Sequence, residues 1–445
     1  MEKDQGMLVL KFGGTSLGTA SRMKQVAGLI SDDRTKIVVL SAMAGTTNSL
    51  VEYASFLYKQ DKMPARALLT EIKGKYLQVV DDLLETADYK AKGRELIDYH
   101  FDYLESFNRD MFTLFEERAV LAQGELISTA LMNFHLAEKG VRSILLPALN
   151  FMRIDKNQEP DEYYIRENLL RELEKHPDEK IFITQGYICR DAFGQIDNLK
   201  RGGSDYTASL IGAALKAYEI QIWTDIDGFH HSDPRYVGDT KAIRELSFAE
   251  AAELAYFGAK ILHPTSILPA RLNNIPVRLK NTMEPESHGT LITSASSPEG
   301  LKAVAAKDGI TSIRIRSGRM LLAYGFLRKV FEIFENYRTS IDMITTSEVS
   351  VSVTIDQTDH LDDIVKDLKH YANVEVHGNQ SIVCVVGDLI AEKAGVARQV
   401  LDALGDVPVR MISYGSSSNN ISLLISTGDK TKALNNLSKN LFQKK

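Results

Sequence analysis

The stretch MLVLKFGGTSLGTASRMKQVAGLI, residues 7–30, passes from an apolar run through glycines into a helical pattern. MLVLKF (7–12) is short and almost wholly apolar, which predicts a strand buried on both faces. It ends at Gly13 and Gly14. Beyond them Met23, Val26, Leu29 and Ile30 recur at the spacing of one helix face. KIVVLS (36–41) predicts a second strand, and residues 50–140, poor in proline and glycine, predict mostly helix. RSILLP (142–147), KIFITQGYI (180–188) and EIQIWT (219–224) predict further strands, each flanked by a helical pattern. Short apolar strands alternating with helices imply an α/β fold whose mainly parallel sheet is sandwiched by helices.

The pattern changes after residue 300. LKAVAA (301–306) and 311–317 predict strands, followed by a helix over 325–337 with Phe326, Val330, Ile333, Phe334 and Tyr337 on one face. Strands at 340–345 and 350–356, a helix at 359–371 and a strand at 374–376 complete a βαββαβ unit. SIVCVV (381–386) starts a second unit: helix 392–404, strands 407–413 and 420–426, helix 430–441. It ends one strand short, so strand 301–306 is expected to complete it and the two ferredoxin-like units to interleave. Such a repeat implies a duplicated regulatory or binding module. The Ser/Pro-rich TSASSPEG (293–300) reads as the linker. The expected domains are therefore 1–298 and 299–445, with units at about 308–380 and about 381–445.

The chain has 445 residues, 44% hydrophobic and 25% charged, as in water-soluble globular proteins. A net charge of −6 argues against nucleic acid as the main partner. MEKDQGMLVLKFGG has no apolar run suited to a signal peptide, and no segment approaches the ~18 apolar residues of a membrane span. A cytoplasmic location is the expectation. Cys189 and Cys384 are far apart and in no ligand pattern, which reads as two core thiols in a reducing compartment.

Glycines recur at strand ends: LKFGGTSLGTA, SAMAGTTN (41–48), DNLKRGGSDYTA (197–208) and WTDIDGFHHSDPR (223–235). Gly13 and Gly18 have the G-x4-G spacing of a phosphate loop, but Thr19 stands where its lysine belongs. The turn also lacks the G-x-G-x-x-G of nicotinamide-binding folds. Two readings stay open: backbone N–H groups facing an anion at a helix start, or a tight βα turn with Lys11 solvated. Several such turns fit a site along one edge of a sheet. His230-His231 invites a metal reading, but no third ligand is spaced to join them.

KFGGTS, SAMAGTTN, QGELIST, RGGSDYTA, TDIDG…SDPR, AAELAYFGAKILHP and TTSEVSVSV resemble the aspartokinases, in order and spacing, from Met7 to about Ser426. The resemblance implies an amino acid kinase fold followed by two ACT domains. It also implies a monofunctional enzyme, since no room remains for a homoserine dehydrogenase domain. The implied reaction passes the γ-phosphoryl group of ATP, with Mg²⁺, to the β-carboxylate of L-aspartate, opening lysine, threonine and methionine synthesis. An acceptor carboxylate of pKa ~4 is already ionised and needs no general base. The work left is to bring a carboxylate up to a polyanion, by positioning and by cationic and N–H stabilisation.

The resemblance assigns catalytic roles to Lys11, Asp205 and Lys260, with Asp205 orienting the lysines and helping to hold Mg²⁺; a metal site made by protein alone is not expected. Thr47, Glu125, Arg201, Gly202, Gly203 and Ser204 match substrate-binding positions, Glu125 for the ammonium and Arg201 as a fork for a carboxylate. Gly13, Gly14, Thr224, Asp225, His230, Asp233 and Arg235 match nucleotide-binding positions, together with the two lysines. Lys200 departs from the family pattern, where glycine is common. Met320, Gly325, Phe326, Leu327, Ser340, Asp342, Ser347 and Glu348 match effector contacts closest to the lysine-sensitive class. Asp342 and Glu348 favour a cationic effector, so lysine is expected over threonine, although Ala323 replaces a polar residue. The ACT domains imply a homodimer. Two other readings remain: a kinase for a different carboxylate or carbamate, and a non-catalytic amino-acid sensor.

Overall fold

A computed structural model describes residues 6–108, 111–199, 202–258, 261–295, 300–317 and 325–443. Lys200, Arg201, Lys260, Met320 and Ala323 lie outside them. The chain divides into two units, Met1–Gly228 with Leu262–Ser294, and Phe229–Ile261 with Ala295–Lys445.

The first unit runs β1 (Leu8–Phe12), α1 (Ala20–Ile30), β2 (Lys36–Leu40), α2 (Thr46–Tyr58), α3 (Lys62–Leu83), α4 (Ala87–Ser106), α5 (Leu114–Glu138), β3 (Ile144–Leu146), α6 (Glu162–Glu174), β4 (Ile181–Gln185), β5 (Ile188–Arg190), β6 (Ile196–Asn198), α7 (Gly203–Leu215) and β7 (Glu219–Thr224). The chain crosses β8 (Glu245–Ser247) and α8 (Phe248–Tyr256) of the second unit, then returns with α9 (Leu268–Leu272), β9 (Val277–Asn281) and β10 (Thr290–Thr293). Its sheet is ordered β3-β4-β2-β1-β7-β9-β10. Every pair up to β9 is parallel, and β10 runs antiparallel to β9. KIVVL in β2 is buried at every position, as a strand covered on both faces must be. Helix α5 is buried without a break from Ala119 to Glu125, so it runs through the interior, and its small residues let neighbours approach closely.

The second unit continues with β11 (Leu301–Arg316), α10 (Phe326–Asn336), β12 (Ile344–Thr346), β13 (Ser350–Ile355), α11 (Leu361–Lys369), β14 (Asn373–Gly387), α12 (Val396–Leu404), β15 (Met411–Tyr414), β16 (Asn420–Ser426) and α13 (Lys430–Phe442). The strands form one sheet, β12-β13-β11-β14-β16-β15. The stretch 301–306 does pair beside 382–387, as the missing strand required. The sequence reading placed separate strands at 301–306 and 311–317, and at 374–376 and 381–386. In each case one long strand serves both modules, its register slipping between Lys307 and Ile310 where Gly309 takes φ 76°. Two clusters of apolar side chains follow, one per module, built on Val383, Val400 and Leu434 and on Ile313, Val330 and Ile364. Cys189 and Cys384 are free and fully buried.

Candidate active site

Because β1, β2 and β4 are parallel neighbours, the loops that follow them emerge at the same edge of the sheet. A cavity of about 410 Å³ opens there. It is lined by Lys11 and Gly14, by Ser41 to Gly45, by Thr47, Asn48, Glu125 and Tyr187, and by Gly202 to Asp205.

Three helix starts meet this cavity: the 3-10 turn Gly14–Leu17, α2 and α7. Glycine precedes each, and none has a side-chain cap. Gly45 (φ 83°) and Gly202 (φ 71°) hold the left-handed conformation that other residues adopt at a cost. By contrast α1, α4, α5 and α6 are capped by Thr19, Thr86, Thr113 and Asp161. Uncapped starts leave N–H donors and the positive end of the helix dipole for an anion.

Lys11 Nζ lies 2.7 Å from Asp205 Oδ1, both side chains being 12% exposed. The approach is charge to charge and not aligned as a hydrogen bond. Lys11 leaves β1 just before the glycines, and Asp205 stands in the first turn of α7. Gly186 lets that turn close on the end of β4, since a Cβ there meets Ser204 at 2.5 Å. Ser41 Oγ donates to Ser204 Oγ at 2.9 Å, which leaves the Ser204 proton to donate elsewhere.

Glu125 comes from α5. Gly124 before it brings the helix against the loop after β2: a Cβ at Gly124 meets Ala42 Cβ at 2.7 Å. Glu125 Oε1 accepts the Ala42 N–H at 3.1 Å. Its Oε2 is buried without a hydrogen bond, and the residue is 3% exposed. Burial pushes this carboxyl up to about 7, with the Ala42 N–H only partly opposing it. Among the described residues no cation faces this carboxylate.

The structure thus brings Lys11, Gly14, Thr47, Glu125, Gly202, Gly203, Ser204 and Asp205 to one cavity, with Gly13 adjoining Lys11. Thr224 and Asp225 lie at the end of β7, hydrogen-bonded to each other at 3.1 Å. His230, Asp233 and Arg235 belong to the second unit. There Asp233 takes a two-pronged bond from Arg235, and His230 Nδ1 lies 2.8 Å from Thr240 Oγ1. Among the described residues no cluster of ligating side chains could hold a metal. Ser41 and Asn48, inside the quoted SAMAGTTN, were not singled out by sequence, nor was Tyr187. Tyr187 lines the cavity from a left-handed backbone (φ 68°) that nothing in QGYI announces.

Of the expected effector residues, Gly325 precedes α10 at φ 85°, while Leu327, Ser340, Ser347 and Glu348 are exposed. Phe326 packs its side chain into the apolar cluster of the first module. Asp342 lies in the loop before β12, its Oδ2 buried without a hydrogen bond among the described residues. Its Oδ1 already accepts from Lys307 Nζ (2.8 Å) and the Tyr256 hydroxyl (2.6 Å), so the ammonium beside it is the protein's own.

The amino acid kinase family pattern matches residues 6–281, and the ACT domain pattern matches residues 383–441. The chain is 34% identical to lysine-sensitive aspartokinase 3 of Escherichia coli (strain K12), over 98% of this chain and 99% of that one. The chain belongs to the aspartokinase family. Chloroplastic aspartokinase 2 of Arabidopsis thaliana is likewise 34% identical, over 98% of this chain and 84% of its own. Among solved aspartokinases, E. coli aspartokinase III with aspartate and ADP superposes with a TM-score of 0.83, covering 98% of this chain and all of that one. The same enzyme with lysine and aspartate gives 0.82 at the same identity, 34%. Among the described residues of this aspartokinase, no helix is long and apolar enough to cross a membrane.

Proposed function

We propose that this chain transfers the γ-phosphoryl group of ATP to the β-carboxylate of L-aspartate, giving 4-phospho-L-aspartate, in the cavity of the first unit. The observation that carries this reading is the charge layout. Lys11 and three uncapped helix starts supply positive charge and N–H donors, and Glu125 supplies one buried carboxylate lacking a cation. An amino-acid substrate carries both complements, anionic carboxylates and an ammonium.

The acceptor carboxylate is ionised on arrival, so no residue has to remove a proton from it. Glu125 takes the α-ammonium on Oε2, and the new cation draws its carboxyl back to the ionised form. Ser204 and Arg201 hold carboxylate oxygens, with Gly202 and Gly203 giving access and Thr47 adding a hydroxyl. Lys11 neutralises charge as it grows on the transferring phosphoryl, assisted by the N–H groups after Gly13 and by Lys260. Asp205 keeps the Lys11 ammonium aimed. Mg²⁺ comes with ATP and screens its phosphates; Asp205 is the residue that would share it. Thr224, Asp225, His230, Asp233 and Arg235 take the nucleotide. The enzyme acts in the cytoplasm as a homodimer joined through its ACT modules, and its effector is lysine. A cationic effector then has to compete with Lys307 for Asp342.

Hydroxylamine trapping with ATP, Mg²⁺ and L-aspartate tests the reaction. Aspartyl hydroxamate is the expected product. Hydroxamate from L-glutamate but not from L-aspartate overturns the substrate, and none from any amino acid overturns the enzyme. Inhibition by millimolar lysine but not threonine is expected; the reverse overturns the effector.

A further inference from the structure

The stretch proposed to meet the nucleotide, residues 230–235, leads directly into a turn that the last helix of the chain grips, all within the second unit. Lys430, the first residue of α13, donates to the Tyr236 hydroxyl at 2.8 Å and to Asp308 Oδ2 at 2.5 Å. Its ammonium also lies 3.9 Å from the Tyr236 ring centroid, and its side chain is only 9% exposed. Asp308 is fixed in turn by Ser381 Oγ at 2.7 Å. Further along α13, Asn435 Nδ2 donates to the Tyr236 carbonyl, and Gln443 Nε2, just past its end, donates to that of Asp239. Val237 is buried in the same apolar cluster as Val400, Leu434 and Leu437. The His231 ring stacks on Phe442 with centroids 5.1 Å apart.

On the other side, the grip passes straight to the proposed nucleotide residues. The N–H groups of Tyr236 and Val237 both return to the Asp233 carbonyl, at 3.1 and 3.0 Å. The Asp233 carboxylate forks onto Arg235. Loops that only connect elements run over the surface with few anchors. A nearly buried ammonium with a carboxylate, a hydroxyl and a ring around it is costly to build and holds its partners in one arrangement.

We propose that Lys430 is a positioning residue for nucleotide binding: through Tyr236 it sets the Asp233–Arg235 turn in the form that accepts ATP. This rests on the reading of residues 230–235 as a nucleotide segment. It gives the C-terminal ACT module a standing role in ATP affinity, present without any effector.

The test uses the full chain with Lys430→Met, Tyr236→Phe, both together, Arg235→Ala, and Lys432→Met as a control. Lys432 is on the same helix but pairs with Asp406 in solvent, at 2.8 Å with side-chain exposures of 50% and 79%. Calorimetry gives the Kd for ATP with Mg²⁺ in the absence of aspartate, and steady-state assays give KM for both substrates. Lys430→Met is expected to weaken ATP about three- to tenfold with the aspartate KM unchanged. Tyr236→Phe moves the same way, the double variant is no worse than Lys430→Met, and Lys432→Met changes nothing. An ATP Kd within about twofold of the parent for Lys430→Met, with Arg235→Ala weakened, overturns the positioning role alone. If Arg235→Ala also binds ATP normally, the nucleotide reading of the segment fails and the proposal falls with it. Should Lys430→Met fail to fold, Tyr236→Phe, which removes one oxygen, decides by the same criterion.

Discussion

Glu125 in the first unit and Glu250 in the second are both buried carboxylates, 3% and 0% exposed, each with one oxygen left without a hydrogen bond among the described residues, and they differ in what meets the other oxygen. Glu250 closes a capping box: its Oε2 accepts the Ser247 N–H at 2.7 Å and the Ser247 hydroxyl at 2.9 Å. The same oxygen takes Lys302 Nζ at 3.2 Å. Among the described residues Glu125 has one N–H and no cation. On the role proposed for Glu125, a buried charge that the fold needs is supplied with its counter-charge from the chain, and one that a ligand needs is left short. Helix starts draw the line less sharply: the three at the cavity are bare and α1, α4, α5 and α6 are capped, but α3 and α10 to α13 are bare as well.

The sharpest way to break this contrast is Glu250→Gln. Neutralising one member of a buried ion pair takes the counter-charge from the other, so a loss of about 3–5 kcal/mol is expected in denaturant unfolding. A loss near zero would make Glu250 no better integrated than Glu125. Lys11→Ala comes next. Losing the cation at the transferring phosphoryl is expected to cut kcat by about 10²–10³, with the melting temperature nearly unchanged. Unaltered turnover would remove Lys11 from the chemistry.

Glu125→Gln is expected to move stability and function in opposite directions. The carboxyl raised to about 7 binds more protons folded than unfolded between its ordinary pKa and 7, so its contribution to stability falls as pH rises through that window. Above pH 7 the substitution should stabilise the substrate-free protein by about 2–3 kcal/mol, a gain that disappears toward pH 4.5. Aspartate binding should be lost at the same time. In the parent, the proton competes with the substrate ammonium. The aspartate KM should therefore rise about tenfold per unit as pH falls below 7, and Glu125→Gln should flatten that dependence. Smallest is Thr113→Ala, which removes the cap of α5 and should cost about 1 kcal/mol without changing either KM.

The strands around the cavity were legible because apolar runs ending in glycine leave a plain pattern. Lys11, Ser204 and Asp205 were legible because a motif carries them. The state of Glu125 was not, since it depends on Gly124 meeting Ala42, two residues far apart in sequence. Nor was the left-handed backbone of Tyr187, which tertiary contacts impose against local preference. The commitment of Asp342 to Lys307 and Tyr256 was likewise hidden, as it joins a loop to β11 and α8, far apart in sequence. Val237 sits in a polar loop by sequence, yet it fills the core of a module that begins far downstream.

The two long strands β11 and β14 bear on how this chain is made. Residues 301–307 leave the ribosome before the whole first module, yet their partners at 382–387 and the helix that covers them come last. The first module closes its sheet within residues 310–380, whereas the second cannot close its own without residues 301–307, which precede the first. The loop-closing entropy of the pairing between 301–307 and 382–387 falls on the second module. The second module should therefore form late, around a first module already made, and in a chain stopped before α12 the stretch 301–307 should be a substrate for proteases.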